Sequence, residues 1–196
     1  MLYLASASPR RREILKKMKV PFRVVKSRYR EEHHSHLSPR SLVLRHAAGK
    51  ARQAIGVPGG QWTLGADTLV YCRGKILGKP KTEKEALGML SLLSGKAHDV
   101  YTGVALWDRS TGKIKQAVSK TRVFVKKLSE KEMRKYIHKI NSFDKAGAYA
   151  IQMRPKIVTK IKGSYSNVIG LPEEAVRKLL QDAEVKNRTS LRRRSK

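Results

Sequence analysis

Apolar positions in this chain fall into short runs separated by amphipathic stretches, and the two periodicities predict alternating strands and helices. LYLAS (2–6) reads as a short buried strand and PFRVV (21–25) as a second. Between them Ser8-Pro9 opens a helix, with Ser8 as N-cap, Pro9 at the first helical position, and Ile14, Leu15 and Met18 as its apolar stripe. The polar stretch 26–38 is a loop that ends at another Ser-Pro helix start. The helix over 39–55 has a broad apolar face of Leu42, Val43, Ala47, Ala51 and Ile55.

PGG (58–60) predicts a turn before WTLGADTLVY (62–71), a mostly apolar strand, and Arg73-Gly74 folds it back into KIL as a hairpin. Thr82 and Glu85 have capping-box spacing ahead of EALGMLSLL, whose Met and Leu positions are core. Two long β-rich stretches, 97–107 and 114–125, are joined by the turn DRSTG. Ser129 and Glu132 cap a helix over 130–139, and Pro172 opens a last one over 172–182. Interleaved helices and strands favour an α/β or α+β domain, with the segment 26–38 able to line a cleft between lobes.

Composition narrows the class. At 196 residues and 40% hydrophobic content, one domain or two small lobes can bury a core. Cys72 is the lone cysteine, which excludes an internal disulfide and a thiolate zinc cage and suits a reducing compartment. No apolar run approaches the roughly 20 residues of a membrane helix, and the start lacks the basic lead and apolar core of a signal peptide. A cytoplasmic protein with no membrane partner is expected. Charge is the odd feature, with 44 Lys and Arg against 15 Asp and Glu for a formal +29. Such a field favours polyanions. A basic tail, 184–196, reads as disordered and suited to nonspecific nucleic-acid contact, leaving 1–183 as the catalytic domain. Without the six cations of 186–196 the charge is still about +23.

Three features carry candidate chemistry. Ser8 at a helix start offers a hydroxyl and free backbone N–H groups to an anion, and Arg10, Arg11 and Arg12 add planar forks suited to phosphate. Three adjacent cations at the positive end of a helix repel one another, so an external anion would resolve the conflict; a solvated basic face is the alternative. Asp67 lies inside an apolar strand, where an unpaired carboxylate costs several kcal/mol. It must meet a cation, a metal or a cleft, or else backbone N–H groups at a strand end. Gly65 and Ala66 beside it leave room for a ligand to approach the backbone. Lys50 sits at the edge of an apolar helix face, where snorkelling is the usual explanation, and Lys79 reads as a surface lysine. DKAGAYAIQ (144–152) and GSYSNVIGLP (163–172) mix small and single polar residues, a texture of backbone passing close to a ligand; the first could equally be a turn into a strand. His33, His34 and His36 suggest either a solvated loop or a transition-metal site.

Taken in order, LASASPRR, HAAGKA, GADT, GKP, LSGKAHDVYTGVAL, DKAGAYAIQ and GSYSNVIGLP resemble the Maf family of nucleoside triphosphate pyrophosphatases, from about residue 2 to 180. The resemblance implies an α/β fold with an elongated mixed sheet flanked by helices and two lobes around a nucleotide-binding cleft. It implies divalent-metal-dependent cleavage, with Mg²⁺ or Mn²⁺, between the α and β phosphates. The family's catalytic aspartate falls on Asp67, its phosphate-binding residues on Ser8, Arg10, Arg11, Lys50 and Lys79, and an acidic metal partner of Asp67 on Glu31. Three positions that separate two branches fall on Arg10, Thr68 and Gln152. The branch that prefers 7-methyl-GTP usually carries Trp, Gln and Glu there. This chain resembles the dTTP/UTP branch, which extends to modified pyrimidine triphosphates, and the amide of Gln152 can accept from N3–H while donating to O4 of a pyrimidine. Two departures stand out. Arg28 and Arg30 occupy a loop usually richer in acid, and Met153 replaces a glycine.

The competing reading is a basic nucleic-acid-binding protein on the same scaffold with an idle site. It calls for exposed aromatics among the cations, yet aromatics make up only 6% of the chain, and it has no use for Asp67 in an apolar strand. A homodimer is left open.

Overall fold

The structure, a computed structural model, describes residues 1–31, 37–58 and 61–183. Three expectations lie outside the described residues: the histidines at 33, 34 and 36, the glycines of the 58–60 turn, and the basic tail.

A mixed sheet of seven strands runs in the order β2-β1-β3-β5-β6-β7. β1 (Leu2–Leu4) and β2 (Phe22–Val24) pair in parallel across the helix α1 (Pro9–Lys17), and β1 pairs in parallel with β3 (Trp62–Cys72). From β3 onward the sheet is antiparallel. The short β4 (Lys75–Leu77) folds back on β3 through the turn at Arg73 and Gly74. β5 (Ala97–Asp108) and β6 (Ile114–Val125) form the long central hairpin, and β7 (Val158–Lys162) is the edge. Helix α2 (Pro39–Arg52) crosses one face of the sheet, and α3 (Glu83–Leu93) follows the β3–β4 hairpin. α4 (Glu130–Ile140), the short α5 (Tyr165–Ile169) and α6 (Glu173–Asp182) complete the chain. The mixed α/β architecture agrees with the expectation from the motifs.

Local rules explain most boundaries. Ser129 and Glu132 form a complete capping box on α4. At α3 only half of that box forms: Thr82 accepts from the Glu85 amide, while the Glu85 carboxylate turns to the Lys81 amide. α2 ends at Arg52, three residues short of expectation, because Ala54 leaves the helix to bridge Ser27 and leaves Ile55 exposed. Two elements escape the periodicity reading. β7 (VTKIK) places lysines on an edge strand, where charge guards against stray pairing but masks the apolar alternation. α5 is only five residues long, too short to show a 3.6-residue period. The segment 144–152 contains no strand; tight turns occupy Ser142–Asp144 and Ala146–Ala148.

Two apolar clusters share one face of the sheet. One gathers Val70, Val100 and Val123 with Leu90 and Leu93 of α3 and Ile137 of α4. The other gathers Leu4, Leu64 and Leu106 with Leu15 of α1 and Leu179 of α6. Burying each such leucine contributes roughly 1.5–3 kcal/mol. A polar seam separates them. Thr68 Oγ1 and Thr102 Oγ1 lie 3.0 Å apart, Thr102 donates to the Asn167 carbonyl at 3.0 Å, and the Asn167 amide donates to Thr121 Oγ1 at 2.8 Å. All but Thr68 are fully buried, and these bonds offset part of the cost of that burial, while Asn167 Oδ1 is buried without a hydrogen-bond partner among the described residues. The two clusters are the two lobes, and the cleft opens at their seam.

Candidate active site

The close approach of α2 to the sheet builds the centre of this site. A side chain at Gly65 would place its Cβ 2.1 Å from the Ala47 carbonyl oxygen and 2.8 Å from the Ala51 amide. The space beside Gly65 therefore holds the backbone of α2, not a ligand, which corrects the sequence expectation. Asp67 lies two residues on, on the same face of β3, and Lys50 is three residues beyond Ala47 on the helix. This geometry delivers Lys50 Nζ to Asp67 Oδ1 at 2.7 Å. Glu31 Oε1 meets the same ammonium at 2.7 Å. The Lys50 and Asp67 side chains are 14% and 11% exposed, so neither snorkelling nor strand-end backbone bonding describes them. Gly65→Ala is expected to push α2 off the sheet, lowering stability by about 1–3 kcal/mol. Denaturant midpoints read that loss, and turnover falls with it because Lys50 and Asp67 lose register.

Nine of the residues singled out line one cleft of about 420 Å³: Ser8, Arg10, Arg11, Glu31, Lys50, Asp67, Thr68, Lys79 and Gln152; Arg12 lies outside it, in a neighbouring concavity. Ser8 sits at the N-cap position of α1 in extended backbone, but its hydroxyl makes no capping bond, so both it and the first amides of α1 are available to an anion. Arg10 spans the rim, donating to Asp144 Oδ2 at 2.9 Å and to the Asp144 carbonyl at 3.1 Å. Lys79 is exposed and makes no ion pair among the described residues.

Arg11 differs from its neighbours. Its guanidinium donates from Nε to the Gly170 carbonyl at 2.8 Å, and to Ser6 Oγ and Thr68 Oγ1 at 3.1 Å each. Burial pushes its pKa down, opposed by the carboxylates of Asp67 and Glu31. Gly170 ends α5 with φ 119°, a conformation that favours glycine, and so aims its carbonyl at Arg11. The Thr68 hydroxyl is thus engaged by Arg11 and Thr102.

Burial works against ionised Glu31, yet Lys50, by charge and hydrogen bond, and His46 and Lys79, by charge, outweigh it and hold its pKa below the ordinary value. Asp144 behaves alike. Burial is outweighed by hydrogen bonds from Lys145 and Arg10. Asp144 and Lys145 were not singled out in the sequence, although the segment containing them was. Lys145 is buried, donating to the Ile140 and Asn141 carbonyls at the end of α4 and to Asp144, which anchors the loop that carries Gln152. Tyr149 anchors the same loop through His98 Nε2 at 2.8 Å. Burial pushes the His98 pKa down to about 4, so that pair is uncharged at neutral pH. Gln152 itself is exposed at the cleft edge. Met153 does not adopt positive φ and packs against the α3–α4 cluster, so no backbone demand for glycine exists there.

Metal fit can be judged from the donors. Asp67 and Glu31 converge on one cation, the Lys50 ammonium, and both are hard oxygen donors. Among the described residues no group of three or more His, Cys, Asp or Glu could hold a metal ion. Two carboxylates suit Mg²⁺ or Mn²⁺ when substrate phosphates and water complete the shell, and they do not suit a closed all-protein cage. No helix among the described residues is long and apolar enough to cross a membrane.

Comparison with known proteins agrees with this geometry. A protein from Citrifermentans bemidjiense named dTTP/UTP pyrophosphatase is 49% identical over 173 residues, covering 87% of this chain and 89% of its own. One of the same name from Pelotomaculum thermopropionicum is 43% identical over 172 residues, 87% and 90% of the two chains. Another from Hydrogenovibrio crunogenus is 41% identical over 185 residues, 93% and 95%. The family profile described as Maf-like protein matches residues 1–183, and the chain belongs to that family.

Proposed function

We propose that this chain hydrolyses dTTP and UTP to the nucleoside monophosphate and pyrophosphate. The observation that carries the reading is Asp67 and Glu31 meeting on Lys50 inside a cleft walled by Ser8, Arg10, Arg11 and Lys79. The relatives' name supplies the choice of base. A triphosphate carries about four negative charges, and converging cations neutralise it as negative charge moves onto the leaving group.

In this reading Lys79, Arg10, the Ser8 hydroxyl and the first amides of α1 hold the phosphates. Lys50 fixes the Asp67 carboxylate through Oδ1, and Oδ2 receives the proton of the attacking water. The water oxygen bonds to the α-phosphorus, the bond to the α–β bridging oxygen breaks, and its electron pair leaves with pyrophosphate. A divalent cation, when bound by Asp67 and Glu31, would neutralise phosphate charge and acidify water. Arg11, braced by three protein oxygens, fixes the floor of the site beneath the phosphates.

A panel of nucleoside triphosphates with Mg²⁺ or Mn²⁺, assayed for pyrophosphate release, tests the reading. dTTP and UTP should lead the panel. Release of orthophosphate would assign the wrong bond. The base contact is tested separately. Gln152→Glu removes the donor assigned to pyrimidine O4, an expected cost of about 1–3 kcal/mol, or roughly 5- to 150-fold in kcat/KM for UTP. 7-methyl-GTP, whose base is cationic, should lose less. An unchanged ratio of the two kcat/KM values would show that Gln152 does not read the base.

A further inference from the structure

The cleft uses few of this chain's cations. A second concavity, of about 910 Å³, lies against the outward face of α2 and shares no lining residue with the cleft. Its walls carry four arginines. Arg45 and Arg52 stand on α2, two helical turns or about 10 Å apart. Arg28 and Arg30 face them from the segment after β2, where the Arg28 amide is tied to the Gln53 carbonyl at 3.0 Å. All four are exposed, and none makes an ion pair among the described residues. Among the described residues no acidic side chain lines the groove.

Structure alone gives little reason for this arrangement. The dipole of α2 accounts for a cation at Arg52, in its last turn, but not for Arg45, Arg28 or Arg30. Like charges sharing a concavity repel, and the described residues that line it supply no counter-charge. We propose that this groove binds the phosphodiester backbone of single-stranded nucleic acid. Guanidinium forks match phosphate oxygens bidentately. Recognition is of the backbone, not the bases: Tyr29 bonds His46 Nδ1 at 2.9 Å through its hydroxyl and packs its ring edgewise against that histidine. A concavity suits a flexible single strand, which can follow its walls, better than a flat bilayer or a rigid duplex. The inference is independent of the nucleotide reading, because these arginines lie outside the cleft.

The test measures binding of a fluorescein-labelled oligo(dT) to the full chain by anisotropy, between about 50 and 200 mM salt. The triple variant Arg28→Gln/Arg45→Gln/Arg52→Gln should lose at least about tenfold in affinity. Its plot of log affinity against log salt should be shallower by about two, since each phosphate contact on a single strand contributes about 0.7. Arg30 is retained because it adjoins Glu31. The variant Lys131→Gln/Lys135→Gln/Lys139→Gln removes the same charge from exposed positions of α4 and should shift the slope little. Equal losses in the two variants, or none in the first, would overturn the site. Displacement of the strand by poly-glutamate at matched charge, or tighter arginine-dependent binding to anionic vesicles, would also overturn it. Hydrolysis of dTTP should persist in the first variant. If hydrolysis is lost as well, the single change Arg45→Gln decides: a slope change of about 0.7 supports the groove and no change refutes it.

Discussion

Asp67→Asn is expected to keep the fold while lowering turnover of dTTP at least about a hundredfold, the loss of a proton acceptor or metal-binding carboxylate. Asparagine has the same shape, and its side-chain oxygen can still accept from Lys50, whose ammonium retains Glu31 at 2.7 Å. What disappears is the charge on the one carboxylate that β3 presents to the floor of the cleft. Stability should fall only modestly, since Lys50 keeps one partner and the variant keeps an acceptor. Pyrophosphate release gives the turnover, and thermal unfolding shows whether the protein is intact. Glu31→Gln provides the contrast. The Glu31 side chain is 57% exposed, so its loss should weaken metal dependence with less effect on saturating turnover. Near wild-type turnover in Asp67→Asn would remove that residue from the chemistry.

Much of this site was legible as residue types and order, much less as contacts. Asp67 could be flagged because a carboxylate in an apolar strand needs a partner, and the helical spacing of Lys50 placed it at the edge of a buried face. Their meeting could not be read, because it depends on how closely α2 lies on β3, which Gly65 decides three-dimensionally. The glycine was visible, but its reading as ligand space was wrong for the same reason. Glu31 was reachable only through motif order. It ends the described part of a polar loop with no periodicity, and Lys50 gives it a position. Arg11 looked like Arg10 in the sequence. The structure separates them, one on the rim with Asp144 and the other beneath the cleft among Ser6, Thr68 and Gly170. The sheet order was not predictable from local pattern, since β1 inserts between β2 and β3 by parallel pairing across helices.

That separation makes Arg11→Lys a sharper probe than its conservative look suggests. The guanidinium fans three donors to acceptors on three segments: Ser6 after β1, Thr68 on β3 and Gly170 at the end of α5. An ammonium is a single point at the end of a flexible stem and cannot satisfy all three in that fan. At least one of the three charge-assisted bonds is then lost, at about 1.5–3 kcal/mol each, although Ser6 Oγ still accepts from the Ser8 amide. A total near 2–4 kcal/mol is expected, which for a chain of this length lowers Tm by roughly 5–15 °C. Arg10→Lys should leave Tm nearly unchanged, because its exposed pair with Asp144 contributes little to stability. Activity distinguishes the roles of Arg11. Five donors less three leaves two N–H groups for a phosphate. If they reach one, Arg11→Lys raises KM as well as lowering kcat. If Arg11 only braces the seam, kcat falls with KM nearly constant. An unchanged Tm would mean that these three bonds do not stabilise the packing of α1 against β1, β3 and the end of α5.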